Sequence, residues 1–187
     1  MNKRILKELA GMYRQQQRQG YDNRIIISHD TSQCIKALIR APDDSVYKHK
    51  FFRFDFEIPE DYPYNPPKMT FVNHDGVRIH PTLYEDGRCC ATILNTWGND
   101  AIEHWTSSMT IESVLLSFMS FFDNDPYAHE PGGRGDESYT AYVRYQSWIT
   151  CFLRYFELEK DCLFKETMNR YLVENIQDIF KELEHFR

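Results

Sequence analysis

Phe52-Arg53-Phe54-Asp55-Phe56-Glu57-Ile58 decides how this chain is read. Apolar and charged residues alternate without a break, the two-residue period of a strand with one face in a core and one in water. The phenylalanines are expected inside, and Arg53, Asp55 and Glu57 outside. Pro59 closes the run because it brings no N–H to a ladder.

Working outward, residues 24–28 and Cys34–Arg40 read as two earlier strands. Ala41-Pro42-Asp43-Asp44-Ser45 is turn chemistry leading toward the phenylalanine strand. Residues 68–72 read as a fourth strand. Ahead of them, residues 2–18 carry Ile5, Leu6, Leu9 and Met12 at helical spacing, with Lys3, Arg4 and Lys7 around the other side. One helix followed by four short strands on tight turns predicts an α+β fold: an N-terminal helix, a four-stranded antiparallel meander and later helices packed on it.

The proline-rich segment Glu60-Asp61-Tyr62-Pro63-Tyr64-Asn65-Pro66-Pro67 is a rigid extended loop. Residues 73–106 show no sustained periodicity, and so long a connection inside a compact domain is usually functional. Helix resumes after Thr110, a cap residue, with Ile111, Val114, Leu115, Phe118 and Phe122 inward. Pro131-Gly132-Gly133-Arg134-Gly135 marks a break. Beyond it, Tyr142, Tyr145, Ile149, Phe152, Leu153 and Phe156 form one helical stripe. Phe164, Met168, Tyr171, Leu172, Ile176, Ile179, Phe180 and Leu183 form another. Both are expected to face the core.

With 187 residues, 42% hydrophobic and 15% aromatic, the chain can bury a real core. A formal charge of -6 argues against nucleic-acid binding, which needs a basic face. The N-terminus has no apolar run of signal-peptide length, and no stretch approaches the roughly 20 apolar residues of a membrane span. The five cysteines are odd in number and two are adjacent, so no disulfide framework shows. The expectation is a reducing compartment, cytoplasm or nucleus.

The chemistry-bearing segment is His80-Pro81-Thr82-Leu83-Tyr84-Glu85-Asp86-Gly87-Arg88-Cys89-Cys90-Ala91-Thr92-Ile93-Leu94. Taken alone, Cys90 reads three ways. It is a buried packing cysteine, a zinc ligand with Cys89 and His80 that lacks the paired spacings of zinc sites, or half of a cysteine–histidine pair without a protease signature.

The order of motifs resembles the ubiquitin-conjugating enzyme family. Tyr62, Pro63, Pro66 and Pro67 match its proline-rich loop, and His80-Pro81-Thr82 its His-Pro-Asn motif, with threonine in place of asparagine. Gly87 to Leu94 matches its active-site run, and Trp105 with Met109-Thr110-Ile111 the tryptophan and helix that follow. The resemblance covers about residues 2–131. Residues 95–104 look like an insertion of the subgroup found in large enzymes that combine conjugation and ligase activity. Trp97, inside it, reads equally as a partner contact or a cap on the core.

The resemblance implies a conjugating-enzyme-like fold, a catalytic domain over residues 2–158, and a C-terminal helical extension over 159–187. It implies that Cys90 accepts ubiquitin or a ubiquitin-like protein as a thioester from an activating enzyme and passes it to a substrate lysine. No bound cofactor and no metal are implied; ATP is used upstream, by the activating enzyme. Thr82 would support the oxyanion or brace the loop, and Glu130 or His129 would help the lysine lose its proton. Cys89 would pack. Ligase contact would use Arg4, Lys7, Tyr64 and the 106–108 stretch around Ser107, which lacks the family's usual proline. The alternative is a weakly active or inactive ubiquitin-binding variant that serves as an interaction module.

Overall fold

A computed structural model describes residues 2–20, 23–98 and 104–186. Helix α1 spans Lys3–Gln19; the Asn2 side chain caps it by accepting the Arg4 N–H, and Ile5, Leu9 and Met12 are buried. Leu6 is only half-buried.

Strands β1 (Ile25–Thr31), β2 (Cys34–Arg40), β3 (Phe51–Glu57) and β4 (Lys68–Phe71) pair antiparallel in chain order. The expected meander is present. β1 runs three residues beyond the expected stretch because Thr31 builds its turn, its hydroxyl accepting the N–H groups of Gln33 and Cys34 at 3.3 and 3.1 Å.

Helix α2 (Ile111–Phe121) starts at a reciprocal capping box between Thr110 and Ser113. It packs on the inner sheet face, where Phe118 meets Phe54 at 5.8 Å between ring centroids. Just beyond the helix, Phe122 stacks on Phe52 at 3.7 Å. This is the phenylalanine face of β3, buried as the alternation requires.

The opposite face of β3 departs from expectation. Asp55 and Glu57 are exposed, but Arg53 is only 5% exposed. The cause lies at the far end of the chain. Helix α3 (Glu137–Trp148) runs through a wide turn at Ile149–Leu153 into α4 (Arg154–Leu158), and α5 (Cys162–Glu184) follows. These helices roof the outer sheet face. Tyr171 lies edge-on to Phe51, with centroids 5.5 Å apart, and beneath the Arg40 guanidinium at 4.8 Å. Arg53 tolerates burial because Asp55 pairs with it at 2.6 Å, Glu159 lies at 3.4 Å and its guanidinium covers the Phe164 ring at 4.9 Å. Phe164, Met168 and Ile179 of α5 belong to the same buried cluster as the sheet.

The first C-terminal stripe is also shifted. Phe152 is buried as expected and Phe156 packs against the core, but Tyr142, Tyr145 and Leu153 are exposed, and Val143, Ser147, Cys151 and Tyr155 are buried. Those four recur every fourth residue, not every 3.6. The wide turn at Ile149–Leu153 adds backbone to one turn and rotates everything after it. In the second stripe Phe164, Met168 and Ile179 are buried, Tyr171 and Leu172 half-buried, and Ile176, Phe180 and Leu183 exposed. Among the described residues, no helix is long and apolar enough to cross a membrane, and no cluster of His, Cys, Asp or Glu could hold a metal ion.

Candidate active site

The segment between β4 and α2 is irregular but tightly tied. The Gly87 carbonyl accepts the Phe71 N–H at 2.7 Å, and Gly87 has φ 86°, a left-handed conformation. A Cβ there would sit 2.6 Å from the Phe71 carbonyl oxygen, so only glycine fits. The turn from Tyr84 to Arg88 closes through Tyr84 N–H to Arg88 O and Gly87 N–H to Tyr84 O, both 3.0 Å.

The chain then runs extended, so neighbouring side chains point opposite ways. Cys89 enters the core at 2% exposure, and Cys90 faces out, half-buried. Packing, the role expected of Cys89, is what its burial shows. Burial raises the Cys89 thiol far above the ordinary cysteine value.

The Cys90 N–H donates to the Thr82 carbonyl at 2.8 Å, so the two positions are locked together. The Thr82 side chain turns the other way. Its hydroxyl and its N–H lie 2.8 and 3.1 Å from Nδ1 of His80, whose Nε2 lies 3.1 Å from the Phe121 carbonyl. A carbonyl only accepts, so Nε2 carries the proton and Nδ1 accepts from Thr82. Complete burial, with a smaller push from His129, lowers the His80 pKa to about 3, which keeps the ring neutral. Thr82 thus braces the loop, and its hydroxyl proton is already engaged. Pro81 is buried beside it.

Thr96 closes the other side. Its hydroxyl accepts the Ala91 N–H at 2.8 Å and lies 3.0 Å from the Cys89 carbonyl, while its own carbonyl accepts the Cys90 S–H at 3.3 Å. Asn95, at φ 57°, accepts the Trp105 N–H at 2.8 Å and so staples the two ends of the expected insertion. Sequence reading assigned neither residue a role; an asparagine in the left-handed conformation is the kind of signal available only after the turn is known. Trp97 is 49% exposed and stands at the site's rim rather than in the core. Residues 99–103 of the insertion lie outside the described residues.

An open cleft of about 530 Å³ brings together Cys90, Thr82, Trp97, His129, Glu130 and Arg78. Glu130 pairs with Arg78 at 3.1 Å, and Arg78 also donates to the Pro81 carbonyl at 2.7 Å. Arg78 and Arg88 both lie over the Tyr84 ring, at 4.5 and 4.0 Å. The His129 Nε2 meets Asp123 Oδ2 at 2.9 Å. Gly133 anchors this wall: a Cβ would stand 2.1 Å from the Tyr127 carbonyl oxygen. Partial burial raises the Cys90 thiol; Arg88, the bond to Thr96 and Arg78 act in the opposite direction. The result is an accessible sulfur that is mostly protonated at neutral pH.

A second cluster supports the cleft from behind. The Trp105 indole N–H donates to the Pro63 carbonyl at 2.8 Å, and its ring lies 5.7 Å from that of Tyr62. The Tyr62–Pro63 bond is cis, Pro66 is half-buried and Pro67 buried. The Tyr62 hydroxyl donates to Glu8 at 2.8 Å, and the same carboxylate oxygen accepts the Ile111 N–H at 3.0 Å, at the start of α2. Arg4 pairs with Glu8 and donates to the Met109 carbonyl at 3.1 Å. Glu8, which had no role in the sequence reading, therefore joins α1, the proline loop and α2. Its spacing of four from Arg4 was the only signal. Lys7 and Ser107 are exposed, and Tyr64 is 81% exposed. These contacts put the three segments implied for ligase contact side by side.

The ubiquitin-conjugating enzyme family model matches residues 4–142. The chain belongs to the ubiquitin-conjugating enzyme family. The probable ubiquitin-conjugating enzyme protein 17 of Caenorhabditis elegans is 38% identical over 147 residues, 72% of this chain and 20% of that protein. Human ubiquitin-conjugating enzyme E2 Z is 41% identical over 100 residues, 52% of this chain and 27% of that protein. The human dual E2 ubiquitin-conjugating enzyme/E3 ubiquitin-protein ligase BIRC6 is 38% identical over 117 residues, 59% of this chain and 2% of its own length. The expected likeness to hybrid conjugating enzymes is present. The chain spans a minor part of each of these relatives. Among solved structures, the ubiquitin-conjugating enzyme Pex4p of H. polymorpha, in complex with the soluble domain of Pex22p, superposes with a TM-score of 0.62. It is 22% identical, with 76% of this chain and 93% of that one covered, and it bears on the fold alone.

Proposed function

We propose that this conjugating-enzyme domain accepts ubiquitin, or a ubiquitin-like protein, on Cys90 and passes it to a lysine of a protein substrate. The observation that carries the reading is the position of the thiol. Cys90 is bonded through its backbone to Thr82 and opens on a cleft of about 530 Å³, while Cys89 is sealed in the core. The modifier would arrive as a thioester on an activating enzyme, which uses ATP to make it. Attack by the Cys90 thiolate forms one S–C bond and breaks another, a nearly isoenergetic exchange that needs no cofactor. A ligase would dock on α1, Tyr64 and the 106–108 loop. The five unpaired cysteines support work in a reducing compartment, cytoplasm or nucleus.

One observation favours a second reading, a ubiquitin-binding module with little activity. The Thr82 hydroxyl already donates to His80, which removes it as an oxyanion donor. The two readings separate in one assay: incubation with activating enzyme, ATP and ubiquitin, read on a non-reducing gel. A reductant-sensitive adduct lost in Cys90→Ala and kept in Cys89→Ala is expected. No adduct with any of several activating enzymes and modifiers would leave the binding module.

A further inference from the structure

Discharge of a thioester onto an amine needs a base, and the cleft offers few that are free. The Glu130 carboxylate is neutralised by Arg78 at 3.1 Å. Nδ1 of His80 is occupied by Thr82, and the ring is buried. His129 is different. Its Nε2 lies 2.9 Å from Asp123 Oδ2, which commits the ring proton to that nitrogen. Nδ1 keeps its lone pair, and no hydrogen bond to it occurs among the described residues. Asp123 is itself oriented: its Oδ1 accepts the Asp125 N–H at 2.8 Å, and its backbone carbonyl accepts the Val46 N–H at 3.3 Å. The geometry is that of a carboxylate that fixes an imidazole tautomer and stabilises the imidazolium once it forms.

We propose that His129 is the general base for transfer from Cys90, and that Asp123 is the residue that positions it. The proposal rests on the thioester reading above. A substrate amine attacks the thioester carbonyl carbon; the new C–N bond forms as the C–S bond breaks. The proton lost by the amine goes to Nδ1 of His129, and the electron pair of the broken bond leaves on Sγ of Cys90. The imidazolium then returns that proton to the thiolate. An amine that enters as ammonium releases one more proton to solvent. The ionisable groups around the ring are Asp123, His80 at 5.1 Å between centroids, and Arg78, Glu130 and Cys90 across the cleft.

The test separates loading from discharge. Protein loaded with ubiquitin by activating enzyme and ATP is chased with free lysine between pH 5.5 and 9. His129→Gln and Asp123→Asn should load as the parent does, which also reports their folding. Discharge should fall by about 10²-fold in His129→Gln, the usual worth of a positioned base. Asp123→Asn should fall in the same direction, and Asp123→Glu should recover most of the rate. The pH–rate profile of His129→Gln should differ in shape from that of the parent. Discharge by His129→Gln within threefold of the parent, with an unchanged pH profile, would overturn the dyad and leave the thioester reading intact. Failure of the parent to load would overturn both.

Discussion

Thr82 and His80 lie 2.8 Å apart, hydroxyl to Nδ1, and the direction of that bond decides what Thr82 does. The hydroxyl gives its one proton to the ring, because Nε2 is bound to the Phe121 carbonyl and Nδ1 is left as acceptor. Thr82→Val should therefore act on stability more than on chemistry. A loss of about 0.5–1.5 kcal/mol is expected in urea unfolding, the net worth of one hydrogen bond. Single-turnover discharge should change by less than about threefold. A drop of about 10²–10³, the usual effect of losing an oxyanion donor, would assign Thr82 the catalytic role instead.

The same histidine should make the domain acid-sensitive. Burial lowers the folded-state pKa of His80 from 6.5 to about 3. Below 6.5 the unfolded chain binds a proton that the fold refuses. The stability it represents is complete above 6.5 and is lost as pH falls toward 3. Each pH unit in that window weighs up to about 1.4 kcal/mol per such group. His49, also held low by burial, adds to the slope with the same sign. Urea unfolding between pH 7 and 4.5 should show the slope, and His80→Gln should remove its share whatever it does to absolute stability.

Cys90 should react slowly for an accessible thiol. Burial raises its pKa, and Arg88 is the leading influence that lowers it. Alkylation by iodoacetamide should climb steeply with pH above neutrality, and Arg88→Ala should move the climb to higher pH. Peptide mapping should find Cys89 and Cys151 protected, since both are buried. Modification of Cys89 ahead of Cys90 would reverse the assignment of the two sulfurs.

The roof of the sheet should matter as core does. Phe164 is fully buried against Arg53, and Phe164→Ala should destabilise by about 3–5 kcal/mol, the range for emptying an aromatic site. Phe180, on the same helix, is 60% exposed, and Phe180→Ala should stay within about 0.5 kcal/mol of the parent. Chemical denaturation of both variants checks this. Equal effects would mean that α5 does not sit on the sheet as described.

Much of this protein is written locally. The alternation of Phe52, Phe54 and Phe56 specifies a strand with one apolar face, and Thr110 with the apolar spacing after it specifies where α2 begins. The order of motifs around His80-Pro81-Thr82, eight residues ahead of Cys90, singles out that cysteine by family resemblance, and Cys89 beside it reads as packing. These signals survive in one dimension because period, cap and turn chemistry depend on near neighbours. The rest depends on what arrives from far away. Arg53 is charged and sits on the wet side of an alternating strand, yet Glu159 and Phe164, more than a hundred residues later, bury it. The stripe through Tyr142 and Tyr145 misleads because the side of α3 that meets the core carries Val143, Ser147 and Trp148, a choice made by tertiary contact and not by local spacing. Whether the Thr82 hydroxyl faces a substrate or His80, and which atom of His129 is free, is set by the Phe121 carbonyl and by Asp123. Local pattern determines which elements form and where the thiol lies; the direction of each proton and the burial of each charge are pairwise matters that only the closed chain decides.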